Sequence, residues 1–136
     1  MIAFLDSSAI IYLLQGREPF SGRVAETLSS LTVRHRALKA AVSRLAWMEC
    51  HVAPMRDEDR ALLETYDAFF ARADRIWVEL SQDVVELATA IRVRHRLKTP
   101  DALQAASCLQ LGRQHLFLTG DASFQSVARL HVVRVA

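Results

Sequence analysis

Two cysteines, four glycines, three prolines and two lysines in 136 residues leave several kinds of protein out. Cys50 and Cys108 are too few for a disulfide scaffold and do not form a paired metal motif, so a reducing cytoplasm is the expected compartment. So little glycine and proline, with 24% charged residues, excludes fibrous and disordered chains. No apolar run approaches the roughly 20 residues needed to cross a bilayer. The run Met1–Leu5 stops at Asp6 without a preceding basic segment, which is not the pattern of a secretory signal, and no membrane partner is expected. The net charge of +2 excludes only an extreme of either sign. What is present is a 51% hydrophobic chain of one-domain length, expected to fold as a single unit over residues 1–136.

Ile2–Leu5 is an unbroken apolar run, as suits a strand covered on both faces. Asp6-Ser7-Ser8 then offers helix-capping oxygens before Ala9–Leu14. A second strand is expected around Ala40–Val42, with Ser43 capping a helix that runs to about Val52. The acids Asp57, Glu58 and Asp59 suit the positive end of another helix, whose apolar stripe is Leu62, Leu63, Tyr66, Phe69, Phe70 and Ala73. Ile76, Val78 and Leu80 alternate as a strand, and Ser81 caps a helix with Val84, Leu87, Ala88 and Ile91 on one face. Thr99-Pro100 opens a helix carrying Leu103, Ala106 and Leu109, with Gly112 as its stop. Leu116–Leu118 and Val132–Val135 read as strands around a helix near Ala122–Ala128. Strands separated by helices imply an α/β fold: three α/β/α layers around a parallel sheet of about five strands.

Ligands of open α/β sheets bind beyond the carboxyl ends of the strands. Asp6 follows the first strand directly, Asp121 follows the fourth, and Asp101 opens a helix. Each also has an ordinary reading as a helix cap. Glu49 is different: Leu45, Glu49 and Val52 are spaced four and three apart, which puts Glu49 in the apolar stripe of its helix. It would then be paired, with Arg44 or Arg56, reach water at the stripe's edge, or coordinate a metal. Carboxylates converging on one crevice repel one another, and a hard divalent cation removes the conflict; all-oxygen ligands select Mg²⁺ or Mn²⁺.

Four stretches resemble the ordered motifs of PIN-domain ribonucleases: Asp6-Ser7-Ser8 after a strand, Ser43 to Glu49, Thr99-Pro100-Asp101-Ala102-Leu103-Gln104-Ala105-Ala106, and Thr119-Gly120-Asp121-Ala122-Ser123-Phe124. Size and motif order are most similar to VapC toxins of type II toxin–antitoxin systems. The resemblance implies an endoribonuclease that uses Mg²⁺ or Mn²⁺, with Asp6, Glu49, Asp101 and Asp121 as its catalytic acids. Asp6 and Asp101 would be direct metal ligands; Glu49 and Asp121 would complete the shell, orient waters or help activate the nucleophile. Ser8 and Thr119 fit supporting hydroxyl positions. The implied partners are RNA, a second copy of the chain and a VapB-type antitoxin. Two departures stand out: Ala46 where the family often has Thr, and Ser123 where it often has Asp.

Competing chemistries lack their residues. A haloacid-dehalogenase-type site needs an acid where Ser8 stands, and a receiver domain needs a lysine after a late strand, where neither Lys39 nor Lys98 falls. Cys50 and His51 are neighbours whose side chains diverge on a helix, and Cys108 reads as core filling. A catalytically silent PIN module and a nuclease acting on DNA remain as alternatives. Of 17 basic residues 15 are arginine, suited to phosphate. Arg92, Arg94, Arg96 and Lys98, just before Asp101, are candidate RNA contacts, and Arg34, His35, Arg36 and Lys39 form a second basic cluster. With four of 15 acids committed to one pocket, 11 remain against 17 bases, an excess of +6 elsewhere.

Overall fold

In the computed structural model, which describes residues 1–135, the apolar run at the start of the chain becomes the middle strand of a parallel sheet. Position 136, the last of the expected span, lies outside the described residues. The chain runs β1 (Ile2–Leu5), α1 (Ser7–Gln15), α2 (Phe20–Arg34), β2 (Lys39–Ser43), α3 (Arg44–Arg56), α4 (Arg60–Phe70), β3 (Ile76–Val78), α5 (Gln82–His95), α6 (Thr99–Leu109), β4 (His115–Thr119), a 3₁₀ turn (Ala122–Phe124) and β5 (Val132–Arg134). The strand order is β3-β2-β1-β4-β5, with every pairing parallel.

The side-chain alternation of β1 explains its lack of polar residues. Phe4 points into a core shared with α5, α6, Ala41 of β2 and Phe117 of β4. Ala3 and Leu5 point the other way, into a core built with α1 to α4, Val42 and Leu118. Helices on both faces make the expected α/β/α layers. With β1 central, the carboxyl ends of β1, β2 and β4 lie side by side, and Asp6, Ser43 and Thr119 stand at those ends.

Helix α2 was absent from the sequence expectations. Its N-cap is Pro19, which makes no side-chain capping bond, and Ser, Thr and Gly are frequent along it. The buried Val24 and Leu31 and the half-buried Leu28 nevertheless keep helical spacing. The helix expected near Ala122–Ala128 is only the 3₁₀ turn Ala122–Phe124, followed by turns that bury Val127 and Leu130. Ala73 lies beyond the end of α4, and Leu80 lies beyond β3 and is exposed. On α3 the buried side is Leu45, Ala46, Cys50, His51 and Pro54; Val52, placed by spacing in the stripe, is 54% exposed.

Candidate active site

Asp6 is the N-cap of α1, its backbone extended as a cap requires, and its Oδ1 accepts from the Ala9 amide at 3.0 Å. The capping reading is therefore correct, and it is not the whole of what Asp6 does. Oδ1 also accepts from Ser8 Oγ at 2.7 Å, and Oδ2 accepts from Thr119 Oγ1 at 2.5 Å. Ser8 Oγ in turn accepts from the Gly120 amide and Thr119 Oγ1 from the Asp121 amide, which ties the end of β1 to the end of β4. Gly120 is required at this junction because a Cβ there would collide with the ring of Tyr12. Asp6 is only 5% exposed, and burial raises its pKa to about 6 despite the three hydrogen bonds that oppose the rise. The charge of Glu49 adds to the shift.

Glu49 sits half-buried one turn into α3. Its Oε1 accepts from Ser7 Oγ at 2.6 Å and from Gln104 Nε2 at 3.0 Å. Neither expected cation pairs with it: Arg44 forks onto Glu79 at 2.6 Å, and Arg56 meets Asp57 at 3.1 Å. Gln104 is the organiser here. Buried on α6, it donates to Ser7 Oγ at 2.9 Å as well, while its Oε1 accepts from Ser43 Oγ at 2.7 Å. Ser43 also accepts from the Ala46 amide, so the cap of α3 is one end of a chain Ser43–Gln104–Glu49–Ser7. Neither Ser7 nor Gln104 is among the candidate site residues marked by the sequence. A glutamine on an otherwise small and apolar helix face, between Ala102 and Ala106, is the signal that marks it.

Asp101 lies in the first turn of α6, half-buried. Burial raises its pKa first, then the charges of Asp121 and Glu49, with Lys98 opposing. Asp121 is exposed after β4 and caps the 3₁₀ turn through the Ser123 amide at 2.8 Å. Hydrogen bonds tie Asp6 to Thr119, two residues before Asp121, and Glu49 to Gln104, one turn along α6 from Asp101, so the four acids come from segments that meet at the carboxyl ends of the strands. Among the described residues, no three Asp, Glu, His or Cys side chains stand close enough to hold a metal ion as they are.

The candidate RNA contacts are divided by the structure. Arg92 Nε donates to the Leu97 carbonyl at 3.0 Å, and Arg96 is the left-handed C-cap of α5. Lys98 faces Asp101, whereas Arg94 lines a separate groove. Trp47 stacks on the buried His51, and Arg44 lies over Trp77, so both indoles are committed to contacts within the chain. No described helix is long and apolar enough to cross a membrane.

The PIN domain family model matches residues 3–130. No curated protein sequence matches significantly. The fold is similar to the VapBC2 structure from Rickettsia felis, bound to a promoter DNA fragment, with a TM-score of 0.79 and 13% identity over 100% of both chains. A toxin–antitoxin complex from Klebsiella pneumoniae gives 0.72 and 24% identity over 98% of both chains. VapC20 of Mycobacterium tuberculosis, a sarcin–ricin loop cleaving toxin, gives 0.69 and 17% identity over 95% of this chain and 98% of that one.

Proposed function

The chain belongs to the PIN domain family, and on that premise we propose that it is a metal-dependent endoribonuclease, the toxin of a VapBC-type pair. The observation that carries this reading is that hydrogen bonds among Asp6, Thr119, Glu49, Ser7 and Gln104 join the four segments bearing Asp6, Glu49, Asp101 and Asp121 at one end of the sheet. Burial first, and then the neighbouring acids, raise the pKa values of Asp6 and Asp101, a cost to folding that packing alone would not select.

The donor set suits a hard cation: the candidate ligands are carboxylate oxygens, supported by hydroxyls. Mg²⁺ keeps several waters and needs only one or two direct carboxylates, so a set of three at ligating distance is not required. Asp6 and Asp101 are the proposed direct ligands, with Mn²⁺ as the other candidate ion. When bound, the ion would neutralise the acids and supply a more acidic water for in-line attack on a phosphodiester. Ser8 and Thr119 hold the Asp6 carboxylate in one orientation, and Ser7 with Gln104 does the same for Glu49. Glu49 Oε2, free of these bonds, and the exposed Asp121 are the groups left to orient water or accept a proton.

RNA as substrate is supported by the likeness to VapC20, and an antitoxin partner by the complexes of like fold. A negatively charged crevice suits inhibition by a basic antitoxin segment. A homodimer acting in the cytoplasm completes the proposal. A second reading, a silent module that binds without cutting, is favoured by one observation: the acids do not stand as a preassembled ligand set. Labelled RNA incubated with the purified protein separates the two. Internal cleavage that needs Mg²⁺ or Mn²⁺ and is lost in Asp6→Asn supports the enzyme. Binding without cleavage, with or without the ions, supports the silent module, and preferential cutting of DNA would replace RNA as the substrate.

A further inference from the structure

A groove of about 840 Å³ lies away from the acids, where the amino ends of β4 and β5 meet α5 and the end of α6. Its volume falls in the range of ligand sites, roughly 300–1,000 Å³. The floor is apolar, with Leu87, Ile91 and Val127 among its residues; the rim carries Arg94, Arg113 and Arg129, with His95 and His131. No acidic residue lines it. Arg94, Arg113 and Arg129 are exposed, and among the described residues none of them takes part in an ion pair or a side-chain hydrogen bond. Arg44, Arg56 and Arg72 spend their charge in ion pairs within the chain, whereas the three rim arginines gather in one groove with no acid lining it. Arg129 holds φ +67°, a left-handed conformation that favours glycine, and so brings its guanidinium to the rim at a backbone cost.

One histidine is fixed and another is displayed. The buried His115 donates from Nδ1 to the Gly112 carbonyl and accepts at Nε2 from the His131 amide. With both nitrogens engaged, it forms a rigid platform on which the His131 ring stacks, centroids 4.9 Å apart and planes 19° from parallel. His131 itself is exposed, so its outer face is open to a planar group. Unpaired guanidinium groups suit phosphates, and a flat exposed ring suits a base.

We propose that this groove is a second RNA-binding site, holding phosphates of a strand on Arg94, Arg113 and Arg129 with a base against His131. The proposal rests on the reading of the chain as acting on RNA. The groove shares no residue with the crevice: the length of β4 separates His115 from Thr119, at least about 13 Å, or roughly four stacked nucleotides. A substrate long enough to span both would be held by the groove while it is cut at the crevice, and a very short one would not.

Fluorescence anisotropy of a labelled single-stranded oligouridylate, with EDTA present so that nothing is cut, tests the proposal without needing activity. The triple substitution Arg94→Ala, Arg113→Ala and Arg129→Ala should weaken binding about tenfold or more near 0.15 M salt. It should also make the slope of log affinity against log salt shallower by about 2, since each single-strand phosphate contact contributes about 0.7. Lysine at the same three positions should restore most of the loss. The control triple Arg17→Ala, Arg56→Ala and Arg60→Ala removes equal charge at exposed positions elsewhere and should change little. Equal loss in the control, unchanged RNA binding in the groove variant, or loss confined to a matching DNA strand each overturns the proposal. Binding that behaves as expected in a protein that never cleaves RNA would sink the nuclease reading and leave the groove standing.

Discussion

Asp6 serves two ends that pull in opposite directions. As a cap it stabilises α1, and as a buried carboxylate it resists ionisation to about pH 6. A raised folded-state pKa means that this group favours folding below the unfolded value near 4, and that the contribution is lost as pH rises through 6. Asp6→Asn keeps a capping oxygen and removes the titration. In EDTA at pH 8 the variant should therefore be more stable than the wild-type chain by about 1–3 kcal/mol, and at pH 4 the two should match; urea melts at both pH values check this. Cleavage by the wild-type protein should rise between about pH 5 and 7, as proton and cation compete for the same oxygens. Gln104→Ala strips Glu49 and Ser7 of a shared partner and leaves Ser43 without its acceptor. It should cost about 1–3 kcal/mol in thermal melts and lower kcat at least tenfold in RNA cleavage assays. The four acids stand out as candidates in the sequence because Asp6 and Asp121 follow strands, Asp101 opens a helix and Glu49 breaks an apolar helix face. Gln104 and Ser7 do not, because their importance lies in bonds across 55 and 42 residues of chain.

At the scale of elements, the caps decide which sequence expectations hold. Asp6, Ser43, Asp59 and Ser81 all accept the capping amides of helices, and the helices expected after Ser43, after Ser81 and at Thr99 start where the sequence places them. α2 has no such side-chain cap and went unread, although Val24, Leu28 and Leu31 carry its stripe. The turn after β4 failed for the opposite reason: Asp121 supplies a cap, but the chain leaves the helical path after Phe124 to reach β5. Two serine caps make a paired test. Ser81→Ala removes only the bond to the Val84 amide and should cost about 1 kcal/mol with cleavage unchanged. Ser43→Ala removes a cap and the donor to Gln104 together, so a similar or larger loss of stability should come with slower cleavage. Melting temperatures and initial cleavage rates of the two variants, measured side by side, distinguish a cap from a cap that also aligns the crevice.

For the whole molecule, a net charge of +2 conceals a division. Acids gather at the carboxyl end of the sheet, and three unpaired arginines rim a groove that contains no acid at all. The α/β/α layers and most strands were legible from the apolar runs, because a parallel sheet covered on both faces leaves no polar positions in β1 or β4 beyond their ends. The basic groove was not, since Arg94, Arg113 and Arg129 come from three separate segments and only Arg94 belongs to an evident run. Thiol chemistry plays no part in this division: Cys50 and Cys108 are buried, and burial pushes both thiols up. The central claim is that the acidic end cuts RNA with a divalent cation. The most direct measurement follows end-labelled RNA exposed to protein stripped with EDTA, while Mg²⁺ or Mn²⁺ is returned in steps. The account predicts internal cuts that grow with added ion, disappear on renewed chelation and never appear with Asp6→Asn. Cleavage that ignores the ion, or survives in Asp6→Asn, would contradict it.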